Sequence, residues 1–188
     1  DFLQTNPAQQ GFLRFSHPIP ATFFGPFMHN TSIAFFEGGN ALTPFRSQQL
    51  LAQIQRAAPK VRAISARFIH WVESDQLLDA ASQQQLQQLL TYGEPFSRQG
   101  VADATIIVTP RIGTVSPWAS KATDIARNCG LDVFRVERIT EYAIAIKGGL
   151  LGGKAELSAE QRGQIAALLH DRMTESVFTT RAEAEQLF

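Results

Sequence analysis

The stretch "ATIIVTPRIGTVSPWASKATDIARNCGLDVFRVERITEYAIAI", residues 104–146, decides the fold. Its first seven residues are mostly β-branched and apolar, which favours a short buried strand. Ser116 can cap a following helix with Pro117 at its first position, where the missing N–H costs nothing, and Gly130 can end that helix. Residues 133–146 then form a long predicted strand. The stretch therefore predicts one β-α-β unit.

The predicted helix after Ser116 carries an apolar stripe with helical spacing, which we expect to pack on a sheet. The stripe consists of Trp118, Ala122, Ile125, Ala126 and Cys129. Cys129 is the single cysteine of the chain and falls at the negative end of the helix, where a thiolate is disfavoured. We interpret it as a small buried hydrophobe rather than a nucleophile. One cysteine without clustered Cys/His spacing predicts neither an internal disulfide nor a metal site.

The same order of elements occurs earlier in the chain. Residues 32–38 have the composition of a strand, Thr43 and Pro44 repeat the cap-and-proline helix start, and that helix stops near Pro59. Residues 61–74 alternate and predict a long half-buried strand. One face of that strand would carry Ile64, Ala66, Phe68 and Val72, and the other Ser65, Arg67 and Glu73. Two β-α-β units most economically form an α+β, ferredoxin-like fold, with one antiparallel sheet and helices on one face.

Two further helices are predicted from capping boxes, in which a Ser side chain and a Gln three residues later satisfy each other's backbone N–H groups. The first pairs Ser82 with Gln85 and the second pairs Ser158 with Gln161. The apolar stripes are Leu86, Leu89 and Leu90 in the first helix and Ile165, Leu168, Leu169 and Met173 in the second.

The chain divides into four predicted segments. Residues 1–28 are proline-rich and form an extension outside the fold, with Met28 a plausible true start. Residues 29–147 hold the duplicated units, and residues 148–157 form a glycine-rich linker. Residues 158–188 begin a helical linker domain, whose end "AEAEQLF" is typical of a helix that docks on something else.

Composition excludes several function classes. The chain has 188 residues, 44% of them hydrophobic and 18% charged, which is typical of a globular protein. Seventeen basic residues balance seventeen acidic ones, so the broad attraction that nucleic acid or an anionic membrane requires is missing. We expect no nucleic-acid partner, no membrane span and a cytoplasmic location, which also fits the cysteine usage.

Three motifs resemble chemical sites, but for each of them a purely structural role is favoured. Residues 148–154 satisfy GxxxxGK, but Ala155 stands where a nucleotide-binding loop needs Ser or Thr for magnesium. His70 falls on the apolar face of its strand without a carboxylate partner, so a core or interface histidine is favoured over a general base. Residues 170–172 are His, Asp and Arg in succession on a helix, so their side chains diverge.

The turn 109–116 is the strongest candidate for an external contact. Arg111 supplies a positive charge, Gly113 permits unusual backbone angles, and the following helix N-terminus favours an anion. An ordinary capped connection between a strand and a helix explains the same residues about equally well. The residue pattern alone leaves both interpretations open.

The segment "VTPRIGTVSPWASKATDIARNCGL" closely resembles the N-terminal region of long, single-chain phosphoribosylformylglycinamidine synthases. Supporting blocks in the same order are "ALTPFRSQQLL", "ARFIHWVES", "LLTYG", "RVERITEYAI", "LHDRMTESVF" and "AEQLF". The resemblance covers about residues 32–188. One departure is Ile112, where the family tends to have a second proline.

The resemblance implies that the chain is the N-terminal part of a glutamine-dependent C–N ligase of purine biosynthesis. In such an enzyme a glutaminase domain releases ammonia, and a synthetase domain uses ATP and Mg²⁺ to activate formylglycinamide ribonucleotide. This part would hold no cofactor and no catalytic residue, would resemble a dimer of a small accessory subunit, and would dock on the synthetase domain. The implied contact surface, at the domain interface or the rim of the substrate pocket, comprises Arg111, Thr114, Ser116, Trp118, Ser120, Lys121 and Asp124. The alternative is a stand-alone ferredoxin-like module that binds a small anion at the turn.

Overall fold

A computed structural model describes residues 31–148 and 156–188. The strands are β1 (Ser32–Asn40), β2 (Val61–Ser74), β3 (Ala104–Pro110), β4 (Arg135–Ile146) and β5 (Glu175–Phe178). The helices are α1 (Pro44–Ala57), α2 (Ala80–Leu90), α3 (Pro117–Asn128), α4 (Ala159–Leu169) and α5 (Arg181–Ala184), which continues into a short 3-10 turn (Glu185–Leu187).

The strands form one antiparallel sheet in the order β1-β2-β4-β3-β5. The long central strands β2 and β4 come from the two different β-α-β units, and their register places Phe68 opposite Thr140 and Arg67 opposite Glu141. The units are arranged about this central pair, since β1 flanks β2 and β3 flanks β4. This arrangement confirms the predicted α+β fold with duplicated units.

Four helices cover one face of the sheet in two pairs. Helices α1 and α4 share a core cluster with β2, β3 and β4, in which Ile54, Ile64 and Ile165 are fully buried. Helices α2 and α3 share a second cluster that includes Leu86 and Val136. Helix α4 and strand β5 thus pack on the same sheet as the duplicated units. The domain boundaries proposed at 147 and 158 stay a prediction.

The opposite face of the sheet is covered by the end of the chain. Trp71 is fully buried there and stacks on Phe188, with ring centres 5.9 Å apart, while Leu187 and Ala184 complete a third cluster. The expectation that β2 is half-buried was therefore wrong for this part of the strand. The segment "AEAEQLF" docks on this sheet, because its apolar side chains cover a face that the duplicated units leave open.

An ion-pair network lies on this second face of the sheet and reaches β1 at its edge. Arg67 contacts both Glu141, at 2.9 Å, and Glu37, at 2.8 Å. Arg181 from α5 contacts Glu141 at 2.7 Å. These contacts hold the pKa of the Glu141 carboxyl below its usual range although burial opposes that shift. The network therefore joins α5 to the two central strands.

Three local predictions are corrected. Helix α2 begins at Ala80 because the Asp79 carboxylate accepts the Ser82 N–H at 2.7 Å, so the Ser82–Gln85 capping box does not form. Cys129 is exposed, since it occupies the C-cap of α3 and Leu131 enters the core instead. Met173 lies beyond the end of α4 and is exposed.

Other local predictions are confirmed. Ser116 caps α3, Pro117 is its first residue, and Gly130 follows the helix with φ +83°, a left-handed conformation that favours glycine. The Ser158–Gln161 capping box is present with both of its hydrogen bonds. In the two predicted stripes, however, Ile125 and Leu168 are 49% and 43% exposed, because each lies at the solvent edge of its helix.

Candidate functional site

The turn between β3 and α3 is fixed by backbone contacts. The Arg111 N–H donates to the Thr174 carbonyl at 2.9 Å, which ties the turn to the segment that precedes β5. Thr114 closes the turn, since its N–H and hydroxyl both donate to the Arg111 carbonyl. Gly113 has φ +78°, so a side chain at this position would strain the backbone. The turn thus has a defined shape.

The N-terminus of α3 is occupied by a buried carboxylate. The Ser116 hydroxyl accepts the Ala119 N–H at 3.0 Å and donates to Glu137 at 2.7 Å, and the Ser116 N–H donates to the same carboxylate at 3.3 Å. Glu137 is fully buried and pairs with Arg135 at 2.8 Å. A negative charge is favourable at this end of a helix. Because Glu137 supplies that charge, these helix-terminal donors are not open to a ligand anion.

Arg135 joins the turn to the end of the chain. Its guanidinium donates to the Thr114 carbonyl at 2.8 Å and to the Leu187 carbonyl at 3.2 Å. The same group lies 4.9 Å from the centre of the Phe188 ring. One half-buried side chain therefore holds the turn, the Glu137 carboxylate and the C-terminal segment together.

A cation–aromatic cluster lies next to the start of α3, in the gap between the two helix pairs. The guanidinium of Arg138 packs against two rings, 4.3 Å from the centre of Phe68 and 4.8 Å from the centre of Trp118. It also donates to the Tyr92 hydroxyl at 3.3 Å. His70 stacks on Trp118 with ring centres 5.5 Å apart. We call these five side chains the aromatic cluster.

His70 is the fully buried member of the aromatic cluster. Its Nε2 forms a 2.8 Å hydrogen bond with the Tyr92 hydroxyl. Burial and the nearby charge of Arg138 lower the pKa of His70 to about 4, although the backbone of Phe36 opposes the shift. The imidazole is therefore neutral at neutral pH. Gly38 packs against this ring, because a Cβ at that position would lie 2.6 Å from His70 Cε1.

Two neighbouring clefts and one groove open around α3. A cleft of about 400 Å³ lies between the turn and the segment that precedes β5, and a cleft of about 200 Å³ contains Arg138, Phe68 and Thr140. They share Ser116 and Glu175 in their walls. A separate apolar groove of about 340 Å³ lies between α2 and α3. Two clefts and a groove thus border the turn and the first half of α3.

Comparison with known proteins identifies the family of the chain. Residues 67–188 match the family described as formylglycinamide ribonucleotide amidotransferase N-terminal. The chain belongs to this family. The match includes the turn, α3, the aromatic cluster and the C-terminal segment that Arg135 fastens to them. The turn and the aromatic cluster therefore lie in the part of the chain that matches the amidotransferase N-terminal family, whereas Gly38, which packs against His70, precedes it.

In this amidotransferase N-terminal domain, the seven predicted contact residues occupy three environments. Arg111, Thr114 and Ser116 lie in the wall of the larger cleft. Trp118 and Lys121 line the groove between α2 and α3. Ser120 and Asp124 are exposed on α3 outside these cavities. Their proposed role in docking stays a prediction, although Ser116 and Trp118 are already engaged within the domain.

The sequence analysis did not predict Arg138, which contacts two rings and a hydroxyl in the amidotransferase domain. Arg138 shares its strand face with the apolar or aromatic residues Tyr142 and Ile144, as the period-2 alternation of a strand requires. An arginine at a position expected to be apolar was the available signal. No comparable signal pointed to Glu137, which is buried because the turn and the C-terminal segment cover it.

The remaining motifs of the amidotransferase domain are structural or outside the described residues. Most of the GxxxxGK match at 148–154 lies outside them. His70 is a buried core histidine, as predicted. The expectation that residues 170–172 lie on a helix was wrong, because α4 ends at Leu169 and His170 is extended. His170 Nδ1 contacts the Ala166 carbonyl, while the Asp171 carboxylate accepts the Met173 N–H.

Within residues 31–148 and 156–188, no His, Cys, Asp and Glu side chains form a group of three or more that could hold a metal ion. None of the helices described is both long enough and apolar enough to cross a bilayer.

Proposed function

We propose that the chain serves a phosphoribosylformylglycinamidine synthase as a non-catalytic docking domain. The complete enzyme would convert formylglycinamide ribonucleotide, ATP and glutamine to formylglycinamidine ribonucleotide, ADP, phosphate and glutamate in the cytoplasm. Its synthetase domain would bind ATP and Mg²⁺, and its glutaminase domain would supply ammonia. Membership of the amidotransferase N-terminal family supports this assignment.

The observation that carries the docking role is an exposed apolar patch around a fixed turn. Ile112, Val115 and Met173 are 47%, 58% and 75% exposed and surround the larger cleft or the turn beside it. Exposed apolar residues grouped around a cavity are typical of an interaction surface. Arg111 lies in the wall of the same cleft, and Lys121 adds a second positive charge on the first half of α3, where it lines the neighbouring groove. We infer that this patch and the first half of α3 contact the synthetase domain at the rim of its substrate pocket.

The test is a charge reversal on the first half of α3 in the full-length enzyme. We expect Lys121→Glu to lower the rate of amide transfer about tenfold, because a reversed charge opposes a complementary partner surface. Glutamine hydrolysis by the glutaminase domain should persist. Steady-state assays of both reactions provide the measurement.

The matched control is Lys60→Glu, which makes the same change at an exposed site. The Lys60 carbonyl accepts the Lys147 N–H beyond the end of β4, whereas the turn lies near the start of β4. This variant should keep normal activity. Unchanged synthesis kinetics in Lys121→Glu, or an equal loss in both variants, would contradict the docking role.

A further inference from the structure

The smaller cleft contains a guanidinium that no carboxylate of the described residues neutralises. Three other half-buried arginines, Arg67, Arg135 and Arg181, each contact a glutamate within 2.9 Å. Arg138 contacts only the Phe68 and Trp118 rings and the Tyr92 hydroxyl. The rings stabilise the guanidinium but do not cancel its charge, so an anion that enters the cleft would meet a positive group without an ionic partner.

The aromatic cluster also fixes the orientation of that charge. The Phe68 and Trp118 rings both pack against the guanidinium of Arg138, whose N–H groups point outward along its edge. Tyr92 takes one N–H of that edge, and the others remain for a ligand. An edge of parallel N–H groups matches the oxygen atoms of a phosphate. Because these ring contacts restrict the side chain in advance, little rotamer freedom is lost on binding.

The remaining groups of the cleft define its selectivity. The Thr140 side chain lies on the same strand face as Arg138 and lines the same cleft. The Glu175 carboxylate also lines the cleft and accepts the Asp171 N–H at 2.8 Å. Its negative charge opposes an anion and leaves Arg138 as the attractive group. The His70 ring, which stacks on Trp118, is neutral and adds no second positive charge to the cleft.

We propose that Arg138 and the walls of this cleft bind the phosphate group of a small-molecule ligand at the rim of the substrate pocket. The inference rests on the proposed function, since the family is named for an amidotransferase whose substrate is a ribonucleotide. Both a ribose 5-phosphate group and a nucleoside triphosphate carry this chemistry. The test distinguishes these two sources.

The chain contains two tryptophans, so nuclear magnetic resonance can follow the indole N–H of each one separately. The indole N–H of Trp118 reports on the cleft, whereas Trp71 is fully buried on the opposite face of the sheet and serves as an internal control. Titration with inorganic phosphate at constant ionic strength should shift the Trp118 resonance saturably and leave that of Trp71 in place. Acetate at equal concentration should shift the Trp118 resonance less.

Three variants distinguish phosphate binding in the cleft from a general effect of the charge of the protein. Arg138→Met should weaken phosphate binding about tenfold or more, because it removes charge-assisted hydrogen bonds. Glu175→Gln should strengthen binding. Arg62→Met removes an exposed arginine of β2 and should change nothing. An unshifted Trp71 resonance in each variant shows that its fold is intact.

Titrations with different phosphate-containing ligands then identify which kind of molecule the cleft binds. Ribose 5-phosphate should bind more tightly than inorganic phosphate and than ATP. Tighter binding of ATP would overturn the assignment to the ribonucleotide. Absence of a saturable Trp118 shift, or an unchanged affinity in Arg138→Met, would overturn the site itself. Neither result depends on the Lys121→Glu assay, so failure of the cleft and failure of docking are distinguishable.

Discussion

At the scale of single residues, His70 shows how burial changes the chemistry of a side chain. The sequence pattern placed it on the apolar face of β2, and the structure buries it fully between Tyr92, Trp118 and the backbone at Gly38. Its neighbours come from α2's C-terminal loop, α3 and β1, which are distant in the sequence. Alternation within one strand could predict the face but not these partners.

The lowered pKa of His70 predicts a pH dependence of stability. The folded state holds this pKa at about 4, whereas an unfolded histidine titrates near 6.5, so the unfolded state binds the proton first as the pH falls. Stability should be complete above about pH 6.5 and should fall by about 2 kcal/mol between pH 7 and pH 5. Urea unfolding at both pH values measures the difference.

The control for this prediction is His70→Gln, which removes the titrating group. Its overall stability should be lower, but its stability should change little between pH 7 and pH 5. An equal pH dependence in both proteins would assign the effect to other groups.

At the scale of elements, the two helices that start with a cap and a proline differ in what their caps contact. Thr43 accepts only the exposed Arg46 N–H, at 3.3 Å, whereas Ser116 serves both α3 and the buried Glu137. Local capping patterns predicted both helix starts, because a cap depends on neighbours within one turn. They could not predict Glu137, since the contact joins Ser116 to a different strand.

The two caps provide a matched pair of variants. Ser116→Ala should lower the free energy of unfolding by about 2–3 kcal/mol, because it removes a cap and a hydrogen bond to a buried charge. Thr43→Ala should lower it by about 1 kcal/mol. Chemical denaturation of both variants provides the comparison, and equal losses would show that the Glu137 contact contributes nothing.

At the scale of the whole molecule, the residues after 156 complete the core. Leu157, Ile165 and Leu169 are buried with α1 and the central strands, and Leu187 covers the opposite face. The glycine-rich stretch before them predicted a linker, because flexibility is a local property of the sequence. Whether the following residues return to the same sheet depends on long-range packing, which periodicity does not report.

A truncation measures this contribution. A chain that ends at residue 148 should lose most of its stability, since each of these large side chains contributes about 1.5–3 kcal/mol when buried. We expect no cooperative thermal unfolding of the truncated chain by circular dichroism. A cooperative transition close to that of the full chain would instead establish 158–188 as an independent unit.

The pairing of β2 with β4 gives the central strand of each half its second neighbour from the other half. If the halves were separate chains, this pairing would depend on their concentration and would be lost on dilution. A covalent connection replaces that encounter with an intramolecular one. The smaller cleft, whose walls include Phe68 from one half and Arg138 from the other, therefore persists at any protein concentration.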